Sequence, residues 1–262
     1  MTGTFLEKIV LETRNNVERT RSLGYSAAIE RRAKKVRAAK QPNRFHAALS
    51  RLDRTNIIAE IKRSSPSKGP INANINVAQV AQNYVAGGAA AISVLTESEY
   101  FGGEIADLVL AVKTVNIPVL RKDFTVDSYQ IYEAAAAGAD AILLIVAALS
   151  KPELVEFSEI AETLGMDSLV EVHTSEELES ARNIGAKIIG VNNRNLQTLE
   201  VSLDVSRELI TKRPDGVLMI AESGLSTKEE IDALKVLGFD GFLIGETLMK
   251  SGNPSETLGG WV

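Results

Sequence analysis

Two lysines, three glutamates and an asparagine stand at the ends of apolar bursts where a buried strand has no use for them. Together those residue types can donate, accept and orient protons without a metal. The bursts read Ile57-Ile58-Ala59-Glu60-Ile61-Lys62, Pro118-Val119-Leu120-Arg121-Lys122-Asp123, Leu169-Val170-Glu171-Val172-His173, Ile188-Ile189-Gly190-Val191-Asn192-Asn193, Met219-Ile220-Ala221-Glu222-Ser223-Gly224 and Phe242-Leu243-Ile244-Gly245-Glu246. A parallel strand covered on both faces is nearly all apolar. Polar residues repeated at the same end of successive strands mark the rim of an α/β barrel, where catalytic groups come from several strand ends.

Glu60 and Lys62 are two apart on a strand and therefore point to the same side, which at a barrel end is the interior. Burying both is costly unless they pair or bind a ligand; a purely structural ion pair and a substrate-binding pair are both open. The loop Arg63-Ser64-Ser65-Pro66-Ser67-Lys68-Gly69 that follows reads either as a surface turn or as a lid over substrate. Lys122 ends the third strand and suits proton donation to a substrate oxygen, the alternative being a snorkelling surface lysine. Arg121 should face the other way and be structural. Glu171, Asn192 and Glu222 end the fifth, sixth and seventh strands, and their convergence on one mouth is what singles them out. His173 has no evident partner and reads as a loop or helix-start residue. At the last two strand ends, Glu222-Ser223-Gly224 and Ile244-Gly245-Glu246-Thr247 fit a phosphate site built from backbone N–H groups, with tight turns as the plain alternative.

The elements that must position these groups follow from the alternation of short β-branched runs with amphipathic stretches from about residue 57 onward, a βα pattern. It predicts strands at 57–62, 90–95, 118–121, 140–146, 168–172, 187–191, 217–221 and 240–244. Capping boxes are expected at Ser150-Lys151-Pro152-Glu153, Thr174-Ser175-Glu176-Glu177 and Ser226-Thr227-Lys228-Glu229. Gly88-Ala89, Gly138-Ala139-Asp140, Gly185-Ala186 and Gly238-Phe239-Asp240 look like helix ends, and they recur at every second unit. The expected fold is a (β/α)8 TIM barrel over residues 51–262, preceded by a helical extension over 1–50. Phe5, Leu6, Ile9, Val10 and Val17 give that extension an apolar stripe for packing on the barrel.

The 262 residues suit one such barrel, and 29 Lys+Arg against 34 Asp+Glu give a net charge of −5, which argues against a global nucleic-acid footprint. The basic run from Glu30 to Arg37 reads as a solvated helix face. With no cysteine and only His46 and His173, no metal site is expected. The chain shows no signal-peptide pattern and no membrane-length apolar stretch, so a cytoplasmic enzyme is expected, with no membrane or nucleic-acid partner and no obligate protein partner evident.

The ordered segments Ile58–Gly69, Ala91–Glu97 with Tyr100–Gly103, Pro118–Phe124, Leu169–His173, Gly190–Leu196, Ala221–Gly224 and Phe242–Glu246 resemble the indole-3-glycerol phosphate synthase family across nearly the whole barrel. The resemblance implies a cofactor-free lyase of tryptophan biosynthesis. That reaction converts 1-(2-carboxyphenylamino)-1-deoxyribulose 5-phosphate into indole-3-glycerol phosphate, CO2 and water. It implies Lys122 as general acid, Lys62 at the substrate carboxylate with proton donation also open to it, Glu171 as acid or base in dehydration, and Glu60, Asn192, Glu222 and Ser223 as orienting groups. Phe101 and Phe124 are implied as wall for the aromatic ring, Ser65, Gly224 and Gly245 as phosphate contacts, and Arg194 either as a support behind the substrate contacts or as a loop contact. Glu246 is carried over for its backbone only, and no site residue is assigned in 1–50. A sugar-phosphate isomerase or a tryptophan synthase alpha subunit would leave the set Lys62, Lys122 and Glu171 unexplained.

Overall fold

The structure is a computed structural model describing residues 4–66, 69–72 and 75–262. Eight parallel strands close a barrel: β1 (Asn56–Ile61), β2 (Ala91–Leu95), β3 (Val119–Lys122), β4 (Ala141–Ile145), β5 (Asp167–Val172), β6 (Ile188–Asn192), β7 (Leu218–Glu222) and β8 (Gly241–Ile244). Each strand pairs with its sequence neighbour and β8 returns to β1, as right-handed βα crossovers require. Ser64 and Ser65 form a short antiparallel ribbon with Gly69 and Pro70 beside the mouth. Ser67 and Lys68 of the expected lid loop lie outside the described residues.

The period of two sorts each strand's residues into two cores. Ile58, Leu120, Leu143, Leu169, Ile188, Ile220 and Leu243 fill the barrel interior, while Ile57, Ile92, Val119, Val170, Ile189, Met219 and Phe242 pack outward against the helices. The inward phase, continued toward the C-terminal ends, reaches Glu60, Lys122, Glu171, Gly190, Asn192 and Glu222. Register ties these together: Glu171 lies beside Gly190, and Asn192 beside Glu222.

Between β1 and β8 the helices are α4 (Val77–Ala86), α5 (Ile105–Thr114), α6 (Ser128–Ala137), α7 (Lys151–Thr163), α8 (Ser175–Asn183), α9 (Asp204–Leu209) and α10 (Lys228–Leu237). Ser150 and Glu153 form a full capping box on α7. On α8, Thr174 accepts from the Glu177 N–H, but the Glu177 carboxylate turns to the His173 backbone instead. The box on α10 runs from Thr227 to Glu230, one residue later than the sequence pattern indicates, because Ser226 and Thr227 both offer a hydroxyl before an acidic pair. Gly88, Gly138, Gly185 and Gly238 all adopt positive φ, before β2, β4, β6 and β8. The repeat has a concrete role in two of those turns. Asp140 accepts the Val119 N–H at 3.1 Å and Asp240 the Met219 N–H at 2.7 Å, each pinning the start of the preceding strand.

Before β1 come α1 (Phe5–Ser22), α2 (Ser26–Arg37) and α3 (Arg44–Leu49). Phe45 and Leu49 of α3 plug the barrel floor, held by Asp167, which accepts the N–H groups of Phe45 and His46 at 3.0 Å each. Arg37, expected on a solvated face, is instead buried and bonds the carbonyls of Ala139 and Leu164. It shares Asp140 with Lys40 and Arg44, so the basic helix anchors the extension through charge. Asp140→Ala leaves the buried Arg37 charge without its carboxylate. We expect a loss of about 3–5 kcal/mol in denaturant unfolding, with kcat unchanged because the network lies at the opposite end from the site. A midpoint equal to that of the unsubstituted chain would refute this.

Candidate active site

At the mouth, Glu60 Oε1 bonds Lys62 Nζ at 2.8 Å. Lys122 Nζ stands 3.5 Å from Glu171 Oε2 and 3.5 Å from Glu222 Oε2. The two lysine side chains are 15 % exposed, against 2 % for Glu171 and 1 % for Glu222, so the ammonium groups form the reachable surface of the cluster. Both Glu222 oxygens are buried without a hydrogen-bond partner, and Lys122 faces one of them at 3.5 Å.

Burial acts first on every group here. It opposes the ammonium of Lys122, yet Glu171, Glu222 and Glu60 outweigh it and hold Lys122 above the ordinary lysine value. Burial likewise opposes ionisation of Glu60, but Lys62 and Lys122 hold it below the usual carboxylate range. Glu222 goes the other way: burial pushes it up to about 8, and repulsion from Glu171 and Glu60 overrides much of what Lys122 returns. Three carboxyl groups thus share two ammonium groups, and Glu222 is the one whose pKa burial raises.

The residues singled out from sequence line one cleft of about 1000 Å³: Glu60, Lys62, Ser65, Phe101, Lys122, Phe124, Glu171, Asn192, Arg194, Ser223, Gly224 and Gly245, with Glu222 among them. Phe101 and Phe124 face each other with centroids 6.4 Å apart. Arg194 donates to the Leu199 carbonyl at 2.9 Å, and its backbone N–H is accepted by Asn192 Oδ1 at 3.0 Å. Ser223 and Gly224 take consecutive positive φ values of 63° and 81°, the turn of backbone N–H groups that suits an anion.

The two glycines differ. A Cβ on Gly224 would lie 2.6 Å from Val201, on the loop outside the mouth, whereas one on Gly245 would lie 2.5 Å from Glu60 Oε1. We therefore expect Gly224→Ala mainly to raise KM, by roughly tenfold or about 1.4 kcal/mol, and Gly245→Ala to lower kcat as well because Glu60 must move. Steady-state kinetics giving the same KM-against-kcat split for both would refute the distinction.

Sequence patterning left several contributors unmarked. Gly190 supplies the space for Glu222, since a Cβ there would fall 2.0 Å from Glu222 Oε1. Phe5 lines the cleft and meets Tyr100 edge-on at 5.1 Å, so the extension does contribute a residue to the site. Phe5 opens α1 directly after the Thr4–Glu7 capping box. Glu97 accepts the N–H groups of Glu99, Tyr100 and Phe101 and so fixes the loop carrying Phe101. Behind Lys122, Arg121 binds Asp123, Glu133, Thr96 and the Gln130 carbonyl, which makes it structural. Among the described residues no group of three or more His, Asp or Glu is placed to hold a metal ion, and no helix is long and apolar enough to cross a membrane.

A closed (β/α)8 barrel with a lysine–carboxylate cluster and an anion-suited turn at its C-terminal rim defines an acid–base barrel enzyme. The family model for indole-3-glycerol phosphate synthase matches residues 6–258. The indole-3-glycerol phosphate synthase of Endomicrobium trichonymphae is 48% identical over 253 residues, 97% of each chain. That of Carboxydothermus hydrogenoformans is 43% identical over 258 residues, 97% of this chain and 98% of its own. The thiamine phosphate pyrophosphorylase of Pyrococcus furiosus shares the fold with a TM-score of 0.59 at 15% identity, covering 79% of this chain and 93% of that one. The chain belongs to the indole-3-glycerol phosphate synthase family. It is a carboxy-lyase of tryptophan biosynthesis acting on a phosphorylated small molecule.

Proposed function

We propose that Lys122 is the general acid of the ring closure and that Lys62, paired to Glu60, holds the substrate carboxylate. The observation that carries this is the separation of the two lysines between carboxylate partners: Lys62 bonds Glu60 at 2.8 Å, while Lys122 stands 3.5 Å from both Glu171 and Glu222. In 1-(2-carboxyphenylamino)-1-deoxyribulose 5-phosphate, the ring carbon bearing the carboxylate attacks the ketone carbon as Lys122 protonates the ketone oxygen. CO2 then leaves and the ring regains aromaticity. Loss of the new hydroxyl and of a C–H proton completes the indole, with Glu171 as acid–base partner. Asn192, Glu222 and Ser223 orient the intermediates, and Phe101 and Phe124 flank the aromatic ring. Ser65, Gly224 and Gly245 approach the phosphate, and Arg194 lines the same cleft.

Residues 1–50 act in this reading as an extension packed on the catalytic barrel of 51–262. The acidic net charge and the anchoring of Arg37 to Asp140 support a reading without nucleic acid, and the same proposal places the enzyme in the cytoplasm with no membrane or obligate protein partner. The activity assay is the rise of indole fluorescence on mixing with the carboxyphenylamino sugar phosphate. We expect full turnover with chelator present and no added cofactor; abolition by chelator would overturn the metal-free reading.

A further inference from the structure

Each turnover takes in a proton. The substrate carboxyl is ionised at neutral pH and departs as neutral CO2, so forming product and water consumes one proton. Glu171 and Glu222 are almost fully buried, and a seated substrate occupies the mouth above them. A supply from behind the site would serve this chemistry, and His173 is placed to give it.

His173 lies two residues beyond Glu171 and outside the lining of the catalytic cleft. It lines a second cavity of about 890 Å³ together with Thr174, Glu177, Asn195 and Glu200. Its Nε2 is buried without a hydrogen-bond partner and points at Glu171 Oε1, 3.6 Å away. Its Nδ1 stands 3.2 Å from Glu177 Oε2, an oxygen already fixed by the His173 backbone N–H at 2.7 Å. Glu171 therefore has one oxygen toward Lys122 and the other toward His173, and a line of groups runs from the second cavity to the reacting centre.

We propose that His173 is a positioning residue that relays the proton consumed in each turnover from the second cavity to Glu171; this rests on the acid–base role given to Glu171 above. The imidazolium Nε2–H passes its proton to Glu171 Oε1. Glu171 gives one proton to the leaving hydroxyl as the C–O bond breaks and water forms, so the carboxyl ends with the proton count it began with. The C–H proton released in the same dehydration returns to Lys122, 3.5 Å from Glu171, and replaces the one given to the ketone oxygen, so the net uptake is the single proton from His173. The neutral imidazole regains a proton from water when the ring turns its emptied nitrogen to the second cavity, which the 12% exposed side chain lines. The groups facing the ring are Glu171 on β5, Glu177 on α8, Glu222 on β7 and Glu200 across the second cavity, with Lys122 beyond Glu171. Burial opposes the imidazolium, but the bond to Glu177 and the charges of Glu171 and Glu222 outweigh it and raise His173 above its ordinary value. These neighbours therefore favour the loaded, imidazolium form of the relay, which empties as pH rises.

The test is the pH profile of kcat for His173→Gln, Glu177→Gln and Glu171→Gln. For His173→Gln we expect kcat to fall about tenfold, less than the 10²–10⁴-fold typical of losing a direct general acid. KM should be nearly unchanged, the alkaline limb of the profile should disappear, and added imidazole should restore part of kcat in His173→Ala. Glu177→Gln keeps the ring and should move the alkaline limb to lower pH, which guards against a folding defect in the histidine variants. A His173→Gln profile matching the unsubstituted enzyme, or an alkaline limb unmoved in Glu177→Gln, overturns the relay. If Glu171→Gln is inactive in that case, only the relay has failed; if Glu171→Gln retains kcat, the role of Glu171 itself has failed.

Discussion

Lys122→Met is expected to lower kcat by at least about 10²-fold, the usual worth of a positioned general acid, while affinity for a reduced, unreactive substrate analogue changes much less. Lys62 and the Ser223-Gly224 turn remain to hold the anionic ends of the ligand. The substitution keeps the side chain's length and removes its charge and proton. It also takes away the cation that Glu171 and Glu222 share at 3.5 Å, so these carboxyls and Glu60 repel one another more strongly. Glu222, already pushed up to about 8, then holds its proton to still higher pH. Stability should suffer at alkaline pH, where that proton is lost, and be best preserved at acidic pH. Single-turnover fluorescence and analogue titration separate the two roles. A variant with near-normal kcat and greatly weakened analogue binding would reassign the acid to Lys62.

Gly190→Ala should cost about 10²-fold in kcat, the penalty associated with displacing a catalytic group by about 1 Å. The added methyl would lie 2.0 Å from Glu222 Oε1 and 3.3 Å from Leu169 Cδ1, and the carboxyl is the softer of the two neighbours. Glu222 must swing away from Lys122, which then loses one of its two nearest acceptors. A double-mutant cycle identifies the cause. In a Glu222→Asp background the shorter side chain vacates the contested space, so the alanine should add little. Equal losses in both backgrounds would show that Gly190 matters for some reason other than room for Glu222.

Much of this architecture was legible because period-two patterning is a local property. Glu60 and Lys62 had to share a face, Lys122 had to oppose Arg121, and the positive-φ glycines before alternate strands announced the βα repeat. The offset of the α10 cap from Ser226 to Thr227 shows the limit of that reading where two hydroxyls precede two glutamates. Arg37 shows another limit. A basic run on a helix carries no local mark of the one member that will meet a buried Asp140 more than a hundred residues away.

By itself, then, the sequence determined the barrel, the rim at which polar residues gather and the types of group available there, since strand phase and turn chemistry act over a few residues. Tertiary structure alone decided which carboxyl each lysine meets, that Gly190 is empty for the sake of Glu222, that Phe5 reaches the mouth, and that His173 backs onto Glu171. Those facts depend on inter-strand register and barrel closure, which bring side chains from distant segments within a few ångströms, and on burial, which sets their charge only once the neighbours are in place.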